Sequence, residues 1–247
     1  MPRVTALTMQ EFQAAVARNP WLILPVGTTE EHGPHLPLGA DTLQAERIAA
    51  AVAERTGALV AAPIPYGLCR TTRNFPGTIS ISYETVERLA VEILQGFAAQ
   101  GLRRFLIFSG HAGGAHMVAL RQAALRLVEG DGTLTILTCC TGDFVPPFLA
   151  EYGITRDGHG GAAETSLMLA LEPEAVRGTP PQASRPDFPP FQALAHPERL
   201  FPSGLMGDAS KASAALGERL KAFLVDRLVE LLARAEASGG ARLAEGS

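Results

Sequence analysis

Four short apolar runs punctuate the chain, and none of them alternates with polar positions: Trp21–Val26, Leu59–Ile64, Arg104–Phe108 and Leu134–Cys139. Runs of that length and texture are expected of strands buried on both faces of a parallel sheet. Pro25 falls near the end of the first, where a missing N–H is tolerated. Helical patterns fill the intervals. Thr8 caps a helix over 9–18, with Glu11 three positions on completing a capping box. A second covers 42–56 and stops at Gly57. Ser82 caps a third over 83–100, ended by Gly101, and a fourth spans 115–129. The turn DGHGG leads into a helix that carries Glu164 on its first turns, and a last helix covers 208–236. Strands alternating with helices predict an α/β fold, a three-layer α/β/α sandwich around a mostly parallel, doubly wound sheet. Residues 173–202 form a Pro-rich excursion. With no internal repeat or clean linker, residues 1–247 read as a single domain, with 239–247 a frayed tail.

Composition narrows the function classes. With 47% hydrophobic and 19% charged residues, the 247-residue chain is neither disordered nor fibrous. Its net charge of −4 offers no broad basic surface for nucleic acid or an anionic membrane. Adjacent Cys139 and Cys140 lie in a predicted strand and read as small core residues. A disulfide framework is not expected, which suits a reducing cytoplasm. The first twenty residues lack the continuous apolar stretch of a signal peptide. No run approaches the roughly 18 apolar residues that span a bilayer. The expectation is a soluble, cytoplasmic protein with a small-molecule partner and no nucleic-acid or membrane partner.

Chemistry gathers where strands end. In an open α/β sheet, ligands bind beyond the carboxyl ends of the strands. Glu30 and His32 follow the first strand, and an i, i+2 pair in extended backbone presents both side chains to one side. Asp41 stands at the next helix, and His111 follows the third strand in a glycine loop. Imidazole mixed with carboxylate suits zinc, manganese or iron(II), one or two ions per subunit, and is not a thiolate structural zinc set. Asp41, with two oxygens, is the candidate bridge between two ions. Neither a dinucleotide fingerprint at the first strand nor a Walker pattern is present.

The segment LPVGTTEEHGPHLPLGAD resembles the signature of the creatininase (creatinine amidohydrolase) family. SGHAGG is similar to that family's glycine loop, FPGTIS to its loop before a helix, and HGGAAETS to its Glu-Thr-Ser segment. These four segments keep the family's order across residues 24–168. The resemblance implies that Glu30, His32, Asp41 and His111 are metal ligands. It implies that His159 transfers a proton near the scissile amide, and that Glu164 completes a second metal site or orients water. It also implies a homo-oligomer, usually a hexamer. Known members open the ring amide of creatinine, deformylate a pyrimidine intermediate or trim a modified peptide in mycofactocin maturation.

Departures from the pattern direct the activity away from creatinine. Gly113 stands where creatininase proper places a glutamate, and the only tryptophan, Trp21, falls in a strand. Ser109 and Ala115 replace the loop's flanking asparagines; Ser109 keeps one hydrogen-bonding group and is a candidate substrate contact. Arg70 and Arg73 replace a histidine-bearing stretch, and Arg73 is the candidate contact for an anionic substrate group. His35 has two open readings, turn packing or substrate contact. His116 and His196 read as surface or helix residues without a role. The expected activity is hydrolysis of a C–N bond in a small amide, cyclic or open, by metal-activated water. Peptidase-like trimming of a modified peptide, deformylation of a formamide and a catalytically silent metal-binding protein stay open as alternatives.

Overall fold

The computed structural model describes residues 3–183 and 186–238. Among these, β1 (Trp21–Val26), β2 (Leu59–Val60), β3 (Arg104–Ser109) and β4 (Thr135–Cys140) form one parallel sheet in the order β2-β1-β3-β4. The register aligns Val26, Ser109 and Cys140, so the carboxyl ends of the three long strands share one rim.

The absence of alternation in β1 and β3 follows from a sheet covered on both sides. Leu22, Leu24, Val26, Phe105 and Ile107 point into one core with α1 (Met9–Val16), α3 (Tyr83–Ala99) and α4 (Gly114–Gly130). Their neighbours Trp21, Ile23, Leu106 and Phe108 point the other way. There they meet α2 (Ala40–Thr56), α5 (Val145–Ala150), α6 (Ala162–Leu171) and α7 (Ala214–Ala237). Successive strand side chains therefore serve opposite layers, the period-two geometry of a strand. Each buried Leu, Ile or Phe contributes about 1.5–3 kcal/mol. The result is the expected α/β/α sandwich.

Local signals hold at several helix starts. Thr8 and Glu11 form a reciprocal capping box, and the Ser82 hydroxyl accepts from Thr85 N–H at 3.2 Å. Two boundaries differ from expectation. The run Leu59–Ile64 is a strand only over Leu59–Val60, because Pro63 has no N–H for a regular ladder. Pairing resumes irregularly, with Ile64 N–H donating to Pro25 and Gly27 N–H to Ile64. The last helix starts at Ala214, not 208. The Asp208 side chain caps a separate short turn over Ala209–Lys211, and Ser213 caps the helix proper. The tail expected from 239 to 247 lies outside the described residues. Among the described residues, no helix is long and apolar enough to cross a membrane.

Candidate metal centre

The shared rim carries the polar cluster. β1 ends at Val26, and the backbone then turns out to place Glu30 and His32 beneath the first turn of α2, where Asp41 lies. β3 delivers His111 two residues beyond Ser109. Close approach of these segments requires Gly110: a Cβ there would lie 2.0 Å from the Asp41 carbonyl oxygen. A third strand-end loop brings Thr72, and the glycine turn before α6 brings His159 and Glu164.

All four expected ligands meet. His111 Nδ1 lies 2.9 Å from Glu30 Oε2 and 3.2 Å from Asp41 Oδ2. His32 Nε2 lies 3.1 Å from Asp41 Oδ1 and 3.7 Å from Glu164 Oε2. Asp41 thus offers one oxygen to each imidazole. Ligand atoms of His32, Asp41 and Glu164 lie within 4.8 Å of one another, as do those of Glu30, His32 and His159. The His32 ring is oriented by its Nδ1–H, which donates to the Glu30 carbonyl oxygen at 3.0 Å. That bond leaves Nε2 facing the carboxylates as the nitrogen free to bind a cation once it gives up its proton, the arrangement usual for metal-ligating histidines. Thr28 donates to the Asp41 carboxylate and Thr72 to that of Glu30, fixing both. Buried carboxylates and a pre-oriented imidazole fit a divalent cation of the zinc, manganese or iron(II) class.

Electrostatics agrees. Burial opposes charge on His32, but Asp41, then Glu164 and Glu30, outweigh it and lift its pKa to about 10. Burial likewise opposes charge on His111, and Glu30 with Asp41 raises it well above its ordinary value. Burial would keep Glu30 neutral, yet His111 beside it brings it down to about 2, and His32 and His111 hold Asp41 low in the same way. Protons on the imidazoles occupy the place between the carboxylates that a cation would contest. Glu164 is raised, chiefly by burial, and its Oε2 accepts from Gly160 N–H at 2.7 Å.

His159 is held from below. Its Nε2–H donates to the Glu31 carbonyl oxygen at 2.5 Å, with the Glu31 carboxylate 3.4 Å away. Burial and His32 oppose its protonation, and the Glu31 bond leads the groups that raise its pKa overall. Asp157 braces the turn, accepting from Ala162 and Ala163 N–H at 2.8 and 2.9 Å. Glu30, His111, His159 and Glu164 border one cavity of about 480 Å³, whose far side includes Val145, Ile154 and Met206.

The three expected substrate contacts are placed elsewhere. His35 is buried, its Nε2 2.7 Å from Thr165 Oγ1, outside the cavity lining; burial lowers its pKa to about 4. Arg73 donates to the main-chain oxygens of Arg70, Leu194 and Ala195, which ties its side chain to the Pro-rich excursion; it is not in the cavity lining, although Thr71 and Thr72 of the same loop are. Ser109 donates to the His111 carbonyl oxygen and accepts from its N–H, so it shapes the histidine loop. His116, read as a helix residue without a role, is fully buried with its ring 5.1 Å from that of His111. Burial and then His111 bring its pKa down to about 3, so it packs there neutral. Cys69 lies within ligand reach of Glu30 and His111, and burial pushes its thiol up, keeping it protonated. Position in a helix or a loop gave no sign of either; the Thr28-Thr29 pair beside Glu30 was the one readable hint of supporting hydroxyls.

The creatinine amidohydrolase family model matches residues 5–232. The chain belongs to the creatininase family. A mycofactocin precursor peptide peptidase of Mycolicibacterium smegmatis is 32% identical over 228 residues, covering 87% of this chain and 85% of the relative. A creatinine amidohydrolase of Pseudomonas putida is 31% identical over 251 residues, covering 93% and 95%. Among solved creatininases, a zinc–zinc form of a variant superposes with a TM-score of 0.83 at 31% identity, covering 93% of this chain and 96% of that one. In this family member Gly113 has a steric reason. A Cβ there would lie 2.3 Å from His111 Nε2.

Proposed function

We propose that this chain is a metal-dependent hydrolase that cleaves an amide C–N bond in a modified peptide. The observation that carries it is Asp41, with one oxygen toward His32 and the other toward His111, the latter lining a cavity with Glu30, His159 and Glu164. The peptide class is supported by the four mycofactocin precursor peptidases, each matching 87% of the chain. A cavity of about 480 Å³ is of the size that takes a small ligand or a short peptide segment.

A bound divalent cation supplies Lewis acidity, lowering the pKa of water from 15.7 to about 7 and polarising the amide carbonyl. Glu30, His32, Asp41 and His111 would hold one or two such ions. Glu164 would complete the second position or orient the attacking water. His159, steadied by Glu31, would give a proton to the leaving nitrogen as the C–N bond breaks and the new C–O bond forms. Zinc and manganese are the candidate metals, since related creatininases are described in both forms.

A small cyclic amide is the second reading, supported by the 93% coverage of the creatinine amidohydrolase relative. Creatinine itself fits poorly: Gly113 replaces the expected glutamate, and Trp21, bonded through Nε1 to Glu236, is not in the cavity lining. Elemental analysis with turnover on peptide and lactam panels tests the proposal. Glu30→Gln and His111→Ala are expected to lose metal and turnover together. Metal affinity should fall as pH falls, since protons on His32 and His111 compete with the cation. Full turnover in a metal-free variant refutes the mechanism.

A further inference from the structure

Gln44 stands one helical turn beyond Asp41 on α2, a spacing that puts both on the same face. It is fully buried, and neither its Nε2 nor its Oε1 has a hydrogen-bond partner. It nevertheless lines the same cavity as Glu30, His111, His159 and Glu164, together with the apolar Ala163 and Leu167. A carboxamide brings two donor hydrogens and an acceptor oxygen. Buried groups of this kind are normally paired, because leaving them dry forfeits their hydration with nothing in return. The neighbours Ala45, Ile48 and Ala49 pack in the core, so methionine or leucine would satisfy packing at position 44 without that cost. Gln44 is thus a cavity-lining residue whose donor and acceptor the protein itself leaves unused.

We propose that Gln44 is a substrate-positioning residue that reads the edge of an amide, Nε2–H donating to a carbonyl oxygen and Oε1 accepting from an N–H. The matching ligand shows a donor and an acceptor side by side. A lactam does so through its cis amide, and a peptide residue in extended conformation does so through its own N–H and C=O. This deepens the amide-hydrolase reading and rests on it.

The test is binding, not turnover. Dissociation constants are measured on the metal-loaded protein by titration calorimetry or ligand-observed NMR, for wild type, Gln44→Met and Gln44→Leu. One pair of probes is 2-pyrrolidinone and N-methyl-2-pyrrolidinone; the other is an N-acetyl dipeptide amide and its analogue methylated at one backbone nitrogen. Wild type is expected to prefer the N–H member of at least one pair by roughly tenfold, and the pair that shows it identifies lactam or extended peptide. Both variants should lose that preference while keeping wild-type metal content and an equal or higher Tm. A preference that survives in the variants, no binding to wild type in either pair, or a marked fall in Tm in both variants would overturn the assignment. Metal content in the same samples separates the two ideas: wild type that binds probes selectively yet holds no metal would sink the hydrolase mechanism and spare Gln44.

Discussion

The cavity has two walls of different construction. Glu30 and His111, which line it, and His32 and Asp41 behind them hang from the ends of β1 and β3 and from the first turn of α2, and all four are buried. Opposite them, residues 141–158 form short helices and turns in which Pro146 and Thr155 are exposed and Val145 and Ile154 half-buried. On the first wall each polar group is held by sheet register and supporting hydroxyls, so its chemistry tolerates little change. On the second, exposed positions such as Pro146 and Thr155 can vary in size without disturbing the core, to which Phe148 and Leu149 belong. Under the proposed function, the sheet side would carry bond cleavage and the loop side the choice of substrate.

The contrast breaks most visibly at His159, which joins the two walls. His159→Asn should lower kcat by about 10²–10⁴-fold while metal content stays, as for loss of a general acid; unchanged kcat on a cleaved substrate would remove it from the reaction. Thr72→Val tests the support beneath Glu30. A decrease in metal affinity of about 10–100-fold is expected, the usual cost of losing a hydrogen bond behind a ligand. Affinity equal to wild type in a chelator competition would show that Thr72 is dispensable. The smallest effect should come from the loop side. Ile154→Ala is expected to change KM about fivefold for bulky substrates with little change in kcat, and an equal drop in kcat for all substrates would erase the division between walls.

The sheet side was also the legible side. Runs such as Trp21–Val26 and Arg104–Phe108 announce buried strands because both faces need apolar residues, and polar residues just past them mark the rim. The loop side follows no period. The positions of Arg73 and His35 depend on main-chain oxygens and a threonine more than 100 residues away, Leu194 and Thr165 among them. No spacing rule reports such partners. His116 was hidden for a related reason: its helix looks ordinary, and only the packing of α4 against the His111 loop makes position 116 interior. Gln44 gives no signal in the sequence beyond one polar residue in a helix, since a missing partner is visible only in three dimensions.

One consequence follows from the register that aligns Val26 with Ser109. The two halves of the cation grip belong to segments that become neighbours only when β3 docks beside β1. During refolding, tight cation capture should therefore lag behind recovery of far-ultraviolet helix signal, and a colorimetric chelator in the refolding buffer would time the arrival of the third strand.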